Sequence, residues 1–259
     1  MRTLVLAGIA GFAALGAGQE PAAIKSEIVD YSHGDVALQG YMAWNPGIAG
    51  KRPAVMIIHE WKGHGDYVRR RADQLARLGY LAFAADMYGK GVFAKDHEEA
   101  GKLAGAFFND RKLMRERAAA GLEALKKHAL CDPTRLAAMG YCFGGTTALE
   151  MARAGLDLRG VASFHGMLGT PVPAKEIKAR VIVFHGKDDK FIPEKDVKAF
   201  EEEMKAAKAN LEFIAYDGAV HSFTVKEAGD DPSKGMAYNE KADKESWTKL
   251  ESFLKEIFK

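Results

Sequence analysis

The sequence predicts an α/β fold, a mostly parallel central sheet with helices on both faces. Short apolar runs of strand length alternate along the chain with longer stretches whose apolar residues recur at helical spacing. One run, Pro53-Ala54-Val55-Met56-Ile57-Ile58, is apolar at every position, as a strand buried on both faces must be. The third observation is a junction at Gly140-Tyr141-Cys142-Phe143-Gly144-Gly145, where a strand-length run passes directly into a helix-forming one.

Taken in order, Lys25–Tyr31 and Val36–Ala43 read as two strands joined by the turn-rich Ser32-His33-Gly34-Asp35. After the central strand, Val68, Ala72, Leu75 and Leu78 fall on one helical face, with Gly79 as the stop. Tyr80–Ala85 is the next strand. A short helix is expected from Asp96 to Phe108, and a longer one from Arg111 to Ala129 places Met114, Ala118, Leu122 and Leu125 on a single stripe. Thr134–Met139, Gly160–Phe164, Arg180–Phe184 and Leu211–Tyr216 complete the strands. Between and after them come the helix from Thr146 to Ala154, one burying Val197, Phe200, Met204 and Ala207, and a last one burying Trp247, Leu250, Leu254 and Ile257.

The junction carries the chemistry. Glycine stands at −2, +2 and +3 from Cys142, between a strand and a helix, the G-x-S-x-G elbow pattern with cysteine in the serine position. Such a turn strains the backbone and needs small neighbours, and it lifts the side chain to the positive N-terminus of the next helix. An unperturbed thiol is only a few per cent thiolate at neutral pH, so it needs a base, and the base needs an orienting acceptor. In open parallel sheets these groups come from loops at the carboxyl ends of strands. One such loop holds Asp188 and Asp189. The spacing G-x-x-D-x-x-[IV]-P from Gly186 to Ile192-Pro193 favours Asp189, with Asp188 as competitor. The other loop holds His221, so the order Cys142, Asp189, His221 is the nucleophile–acid–histidine order of the α/β-hydrolase fold.

These residues, with His59-Glu60-Trp61 after the central strand and Asp86-Met87-Tyr88-Gly89 after the next, resemble the dienelactone hydrolase family over essentially all of residues 19–259. The resemblance implies hydrolysis of esters or lactones through a thiol acyl-enzyme, with Cys142 as nucleophile, His221 as base and Asp189 as its partner. It further implies that Glu60 contacts the resting thiol and helps generate thiolate. The backbone N–H groups of Trp61 and Phe143 would form the oxyanion hole. Tyr88, Lys90, Phe191 and Phe223 are expected at the substrate pocket. The family clamps a substrate carboxylate with two arginines, whereas this chain has Lys90 at one position and Val225, four residues after His221, at the other.

Residues 1–18 are expected to be a secretory signal peptide, with Arg2, an apolar Leu4–Leu15 run and the small residues Gly16-Ala17-Gly18. That leaves one domain, 19–259, in the periplasm or outside the cell, with no stable membrane anchor and expected as a monomer. Thirty-seven basic against 35 acidic residues give a net charge of +2, too balanced for a nucleic-acid partner. Arg69-Arg70-Arg71 reads as a solvated helix face. Cys131 and Cys142 flank a strand, about 20 Å apart at extended spacing, too far for a disulfide. The two histidines of His59-Glu60-Trp61-Lys62-Gly63-His64 are five apart, so the H-E-x-x-H zinc spacing is not met. Neither metal nor cofactor is expected. His165 and His185 are expected to support or pack near the site. Other readings of the same residues are a thioesterase or peptidase, a non-enzymatic envelope binding protein, and a thiol redox sensor.

Overall fold

A computed structural model describes residues 23–259; the expected signal peptide lies outside the described residues. Among the described residues eight strands form one sheet. In chain order they are β1 Lys25–His33, β2 Val36–Trp44, β3 Arg52–Ile58, β4 Leu81–Ala85, β5 Cys131–Tyr141, β6 Gly160–Phe164, β7 Arg180–Gly186 and β8 Leu211–Tyr216. Across the sheet the order is β1-β2-β4-β3-β5-β6-β7-β8. β1 and β2 form an antiparallel hairpin, β2 is antiparallel to β4, and the rest are parallel. The chain steps from β3 to one side for β4, then crosses to the other side for β5. That reversal leaves a crevice at the carboxyl ends of β3 and β5, where open sheets of this kind bind ligands.

Six α-helices of the described residues cover the sheet: α1 Asp66–Arg77, α2 His97–Asn109, α3 Arg111–Lys126, α4 Phe143–Arg153, α5 Glu194–Ala206 and α6 Glu240–Ile257. On one face Val68 and Leu75 of α1 and Leu250 and Leu254 of α6 pack against Val55, Ile57 and Met139. On the other, Met114, Ala118, Leu122 and Leu125 of α3, with Leu149 of α4 and Phe200 of α5, cover Met56, Ile58 and Ala138. The period of two along the strands therefore feeds two separate cores. No helix among the described residues is long and apolar enough to cross a membrane.

Some expectations change at element ends. The hairpin turn is only Gly34-Asp35, because pairing runs out to His33 opposite Val36 and Gly34 supplies a left-handed φ of 57°. Leu78 is 41% exposed, since α1 stops at Arg77 and the residue after it no longer projects onto the sheet. Trp247 is only partly buried, over the Arg71 guanidinium. The arginine run is not a uniformly solvated face. Arg70 is exposed and pairs with Glu227, whereas Arg71 is buried against Tyr67 and Tyr141 and pairs with Asp243 of α6.

A second buried charge cluster braces the elbow helix. The Glu150 side chain on α4 is fully enclosed and meets Arg115 of α3 at 2.7 Å and Arg153 at 3.0 Å. Arg153, also fully enclosed, reaches Glu203 of α5 and donates to the Leu168 carbonyl, while Arg115 donates to that of Val172. Three helices and the loop after β6 are thus tied together through Glu150 and its arginines.

Candidate active site

Cys142 sits between β5 and α4 with φ 54° and ψ −115°, a conformation that is strained for a residue with a side chain. The flanking glycines permit it by close approach. A Cβ on Gly140 would lie 2.2 Å from the carbonyl of Gly144, and one on Gly144 would lie 2.2 Å from that of Ile58. One on Gly145 would meet Ser163 Oγ at 2.8 Å. The elbow is locked between β3 and β6, and its thiol is left partly exposed and unpaired by disulfide, with Cys131 buried at the far end of β5.

Two loops come to it. His221, after β8, places Nε2 3.1 Å from Cys142 Sγ, and its Nδ1–H donates to Asp189 Oδ2 at 2.8 Å. Asp189, after β7, is buried, and its other oxygen accepts the Phe191 N–H at 2.9 Å. Asp188 is exposed, which resolves the choice between the two carboxylates as a matter of geometry. With Nδ1 donating to Asp189, the Nε2 lone pair faces the thiol proton. Burial alone would lower the His221 pKa, but the anionic forms of Cys142 and Asp189 outweigh it and raise it to about 10. The imidazole is therefore a strong proton acceptor for this thiol.

The loop after β3 supplies the opposite wall. His59 is buried, donates from Nδ1 to the Glu60 carbonyl at 2.6 Å and accepts the Met87 N–H on Nε2 at 3.1 Å. Tyr88 donates its hydroxyl to the Trp61 carbonyl at 2.9 Å, and the Asp86 carboxylate accepts the N–H groups of Tyr88 and Gly89. So fixed, the backbone N–H of Trp61 has no partner among the described residues, and neither has that of Phe143 at the start of α4. Free backbone donors that face a thiol can stabilise a developing oxyanion, and Phe143 directly follows Cys142.

Glu60 departs from its expected contact. Among the described residues no hydrogen bond joins its carboxyl to Cys142, whose thiol instead faces His221. Burial pushes the Glu60 carboxyl up to about 7, partly opposed by His221. Because the folded value exceeds the unfolded one, its neutral form is free of penalty below about pH 4.5. Stability then falls as pH rises towards 7 and stays lowered above it. Glu60→Gln, neutral throughout, is expected to be more stable than the parent by about 2–3 kcal/mol at pH 8 and by under about 1 kcal/mol at pH 5. Urea unfolding at both pH values measures it; a gap independent of pH would mean that Glu60 ionises normally.

The pocket expectations divide. Phe191 is 49% exposed, its ring edge-on to His221 with the ring centroids 5.3 Å apart, a wall at the mouth. Tyr88 is buried and packs on the Phe143 ring with Phe107 of α2. Phe223 is no wall: it is fully buried against His165 and Tyr216, because the backbone turns at Ser222, φ 59°, and drives the next side chain inward. Lys90 also points elsewhere, its ammonium 2.8 Å from Asp30 on β1. Trp61 stacks near His97 at the head of α2. His64 bonds the Ala84 carbonyl, so neither histidine of the rejected zinc pattern is left without a backbone partner. His185 packs on Phe213, whereas His165 lies against both Cys142 and His221. Sequence reasoning missed Thr224 and Tyr67 behind the site, and no local pattern marks either.

The sequence model of the Dienelactone hydrolase family matches residues 38–258. A putative carboxymethylenebutenolidase of Aquifex aeolicus is 28% identical over 244 residues, 90% of this chain and 99% of that one. A probable 2-oxo-3-(5-oxofuran-2-ylidene)propanoate lactonase of Bradyrhizobium is 29% identical over 212 residues, 77% and 84% of the two chains. Among solved structures, a dienelactone hydrolase-like promiscuous phosphotriesterase from metagenomic libraries superposes with a TM-score of 0.87 at 35% identity, covering 92% of this chain and all of the other. With an eight-stranded sheet and a family match across nearly all of it, this chain belongs to the dienelactone hydrolase family and is a hydrolase of the ester and lactone type.

Proposed function

We propose that the chain hydrolyses neutral, moderately apolar carboxylic esters or lactones through a Cys142 acyl-enzyme. The observation that carries this reading is the line from Sγ to His221 to Asp189, at 3.1 and 2.8 Å, with the backbone N–H groups of Phe143 and Trp61 left without a partner among the described residues. Sγ attacks the carbonyl carbon as its proton passes to His221 Nε2, and the N–H groups of Trp61 and Phe143 receive the oxyanion. Collapse breaks the C–O bond, and the leaving alkoxide takes the proton from Nε2. Water, deprotonated by His221, then attacks the thioester; the acid leaves and the proton returns to Sγ. Glu60 adds an anion within reach of His221 when ionised and so favours the protonated imidazole that accompanies thiolate.

Chromogenic esters, matched thioesters and peptides test the reading, with mass measurement of the quenched enzyme. A burst and an acyl adduct on Cys142 with esters are expected. Preference for thioesters or peptides would move the assignment to those classes. Absence of any adduct would favour a binding protein, and a stable sulfenic acid indifferent to His221→Ala would favour a redox sensor.

Substrate charge follows from the missing clamp. Val225 is apolar and buried, and Lys90 is held by Asp30. Charged contacts of the missing kind are worth about 1.5–3 kcal/mol each, so kcat/KM for a neutral ester should match or exceed that for a carboxylate-bearing dienelactone, by roughly tenfold. Lys90→Ala should change neither value by more than about twofold. A dienelactone preference lost in Lys90→Ala would restore Lys90 to the pocket. The proposal also includes export of a monomer, with residues 1–18 removed close to Gly18. N-terminal sequencing and light scattering of protein from its host check both, and a product starting at Met1 or a stable dimer would count against them.

A further inference from the structure

Cys142, His165 and Ser222 all hold left-handed backbone, with φ of 54°, 40° and 59°. None is glycine, and such backbone persists only where neighbours over-determine it. His165 joins the first of these to the segment around the third, through Cys142 on one side and His221, Phe223 and Thr224 on the other. The Cys142 N–H is shared between the Phe164 carbonyl at 2.9 Å and His165 Nδ1 at 3.1 Å. A backbone N–H can only donate, so Nδ1 is the acceptor and the ring proton sits on Nε2. That proton goes to Thr224 Oγ1 at 2.9 Å. Thr224 is buried three residues beyond His221, and its hydroxyl meets Tyr67 OH of α1 at 2.7 Å. Its carbonyl accepts from Arg71 at 3.1 Å, the arginine that pairs with Asp243 of α6. The same His165 ring meets the His221 ring edge to face, with centroids 5.2 Å apart. Burial keeps His165 neutral, which preserves the Nδ1 lone pair.

We propose that His165, oriented by Thr224, is a positioning residue that fixes the backbone of the nucleophile and the ring of its base in one frame. It rests on the thiol mechanism above and adds to it a device that touches no substrate. A misplacement of about 1 Å can cost about a hundredfold in rate, so loosening this frame should act on turnover more than on binding.

The test compares Thr224→Val, which keeps the shape but loses the acceptor, with Thr224→Ser, which keeps the hydroxyl. In folded Thr224→Val, kcat for p-nitrophenyl acetate should fall about tenfold to a hundredfold while KM stays within about threefold. Alkylation of Cys142 by iodoacetamide should slow in parallel, and Thr224→Ser should recover most of both. Parent-like turnover and alkylation in Thr224→Val, or equal losses in the two variants, would overturn the proposal. If Thr224→Val does not fold, His165→Asn and His165→Leu decide. Asparagine offers an oxygen to the Cys142 N–H and tolerates left-handed backbone, so it should retain at least about ten times the turnover of leucine; equal turnover refutes the role. Cys142→Ala is measured alongside. Full turnover there would remove the thiol mechanism itself, whereas an inert Cys142→Ala beside an unaffected Thr224→Val removes only the positioning role.

Discussion

Replacing Cys142 by alanine is expected to lower ester hydrolysis at least about a thousandfold while leaving the protein folded, and His221→Ala should do nearly the same. In the proposed mechanism the two groups act on one proton, across the 3.1 Å between Sγ and Nε2. Losing either therefore removes nucleophilic attack, and the double variant should be little worse than each single one. Alanine at 142 leaves the elbow its backbone bonds to Phe164 and His165, because those use the N–H and not the thiol. Circular dichroism and the melting temperature should change little. Near-parental turnover in folded Cys142→Ala would falsify the mechanism.

Glu150→Ala is expected to destabilise the protein by about 3–5 kcal/mol, a large share of the roughly 5–15 kcal/mol that holds a domain together. The carboxylate is the meeting point of Arg115 and Arg153, and the Arg153 side chain has no exposure of its own. Without Glu150 that guanidinium keeps only Glu203 and the Leu168 carbonyl, so part of its charge is left buried and uncompensated. Glu150→Gln should cost less, since an amide oxygen can still accept one guanidinium N–H. Urea denaturation of the three proteins measures the order; an alanine variant within about 1 kcal/mol of the parent would show that water enters and solvates the arginines.

How much of this was legible in the sequence depended on the reach of each interaction. The elbow was legible because its glycines act within five residues of Cys142, and their spacing reports close backbone approach directly. Asp189 and His221 were legible through strand-end position and chain order, which the parallel sheet converts into proximity. Arg71 was misread because its partner Asp243 lies 172 residues away, and nothing in an arginine triplet says which member turns inward. The link between Tyr67 and Thr224 spans 157 residues and was invisible for the same reason. Lys90 and Phe223 failed differently. Both follow turns, and the direction of a side chain after a turn is set by loop geometry that residue identity does not encode. The central strand and the α3 stripe, where periodicity is uninterrupted, appeared as expected.

The sheet order has a consequence for how the molecule comes into being. Cys142 and His221 are 79 residues apart, and Asp189 is 32 before His221. A nascent chain therefore presents its thiol long before the histidine proposed to activate it has been made. Contacts so distant in sequence close late, after much of the loop entropy has been spent on strand pairing. On dilution from denaturant, far-ultraviolet signal should return before hydrolytic activity, and fragments ending before β8 should carry a thiol of ordinary reactivity. On the proposed mechanism, competence is expected to arrive in one step, when the C-terminal strand and α6 dock, so that incomplete chains expose no activated thiol.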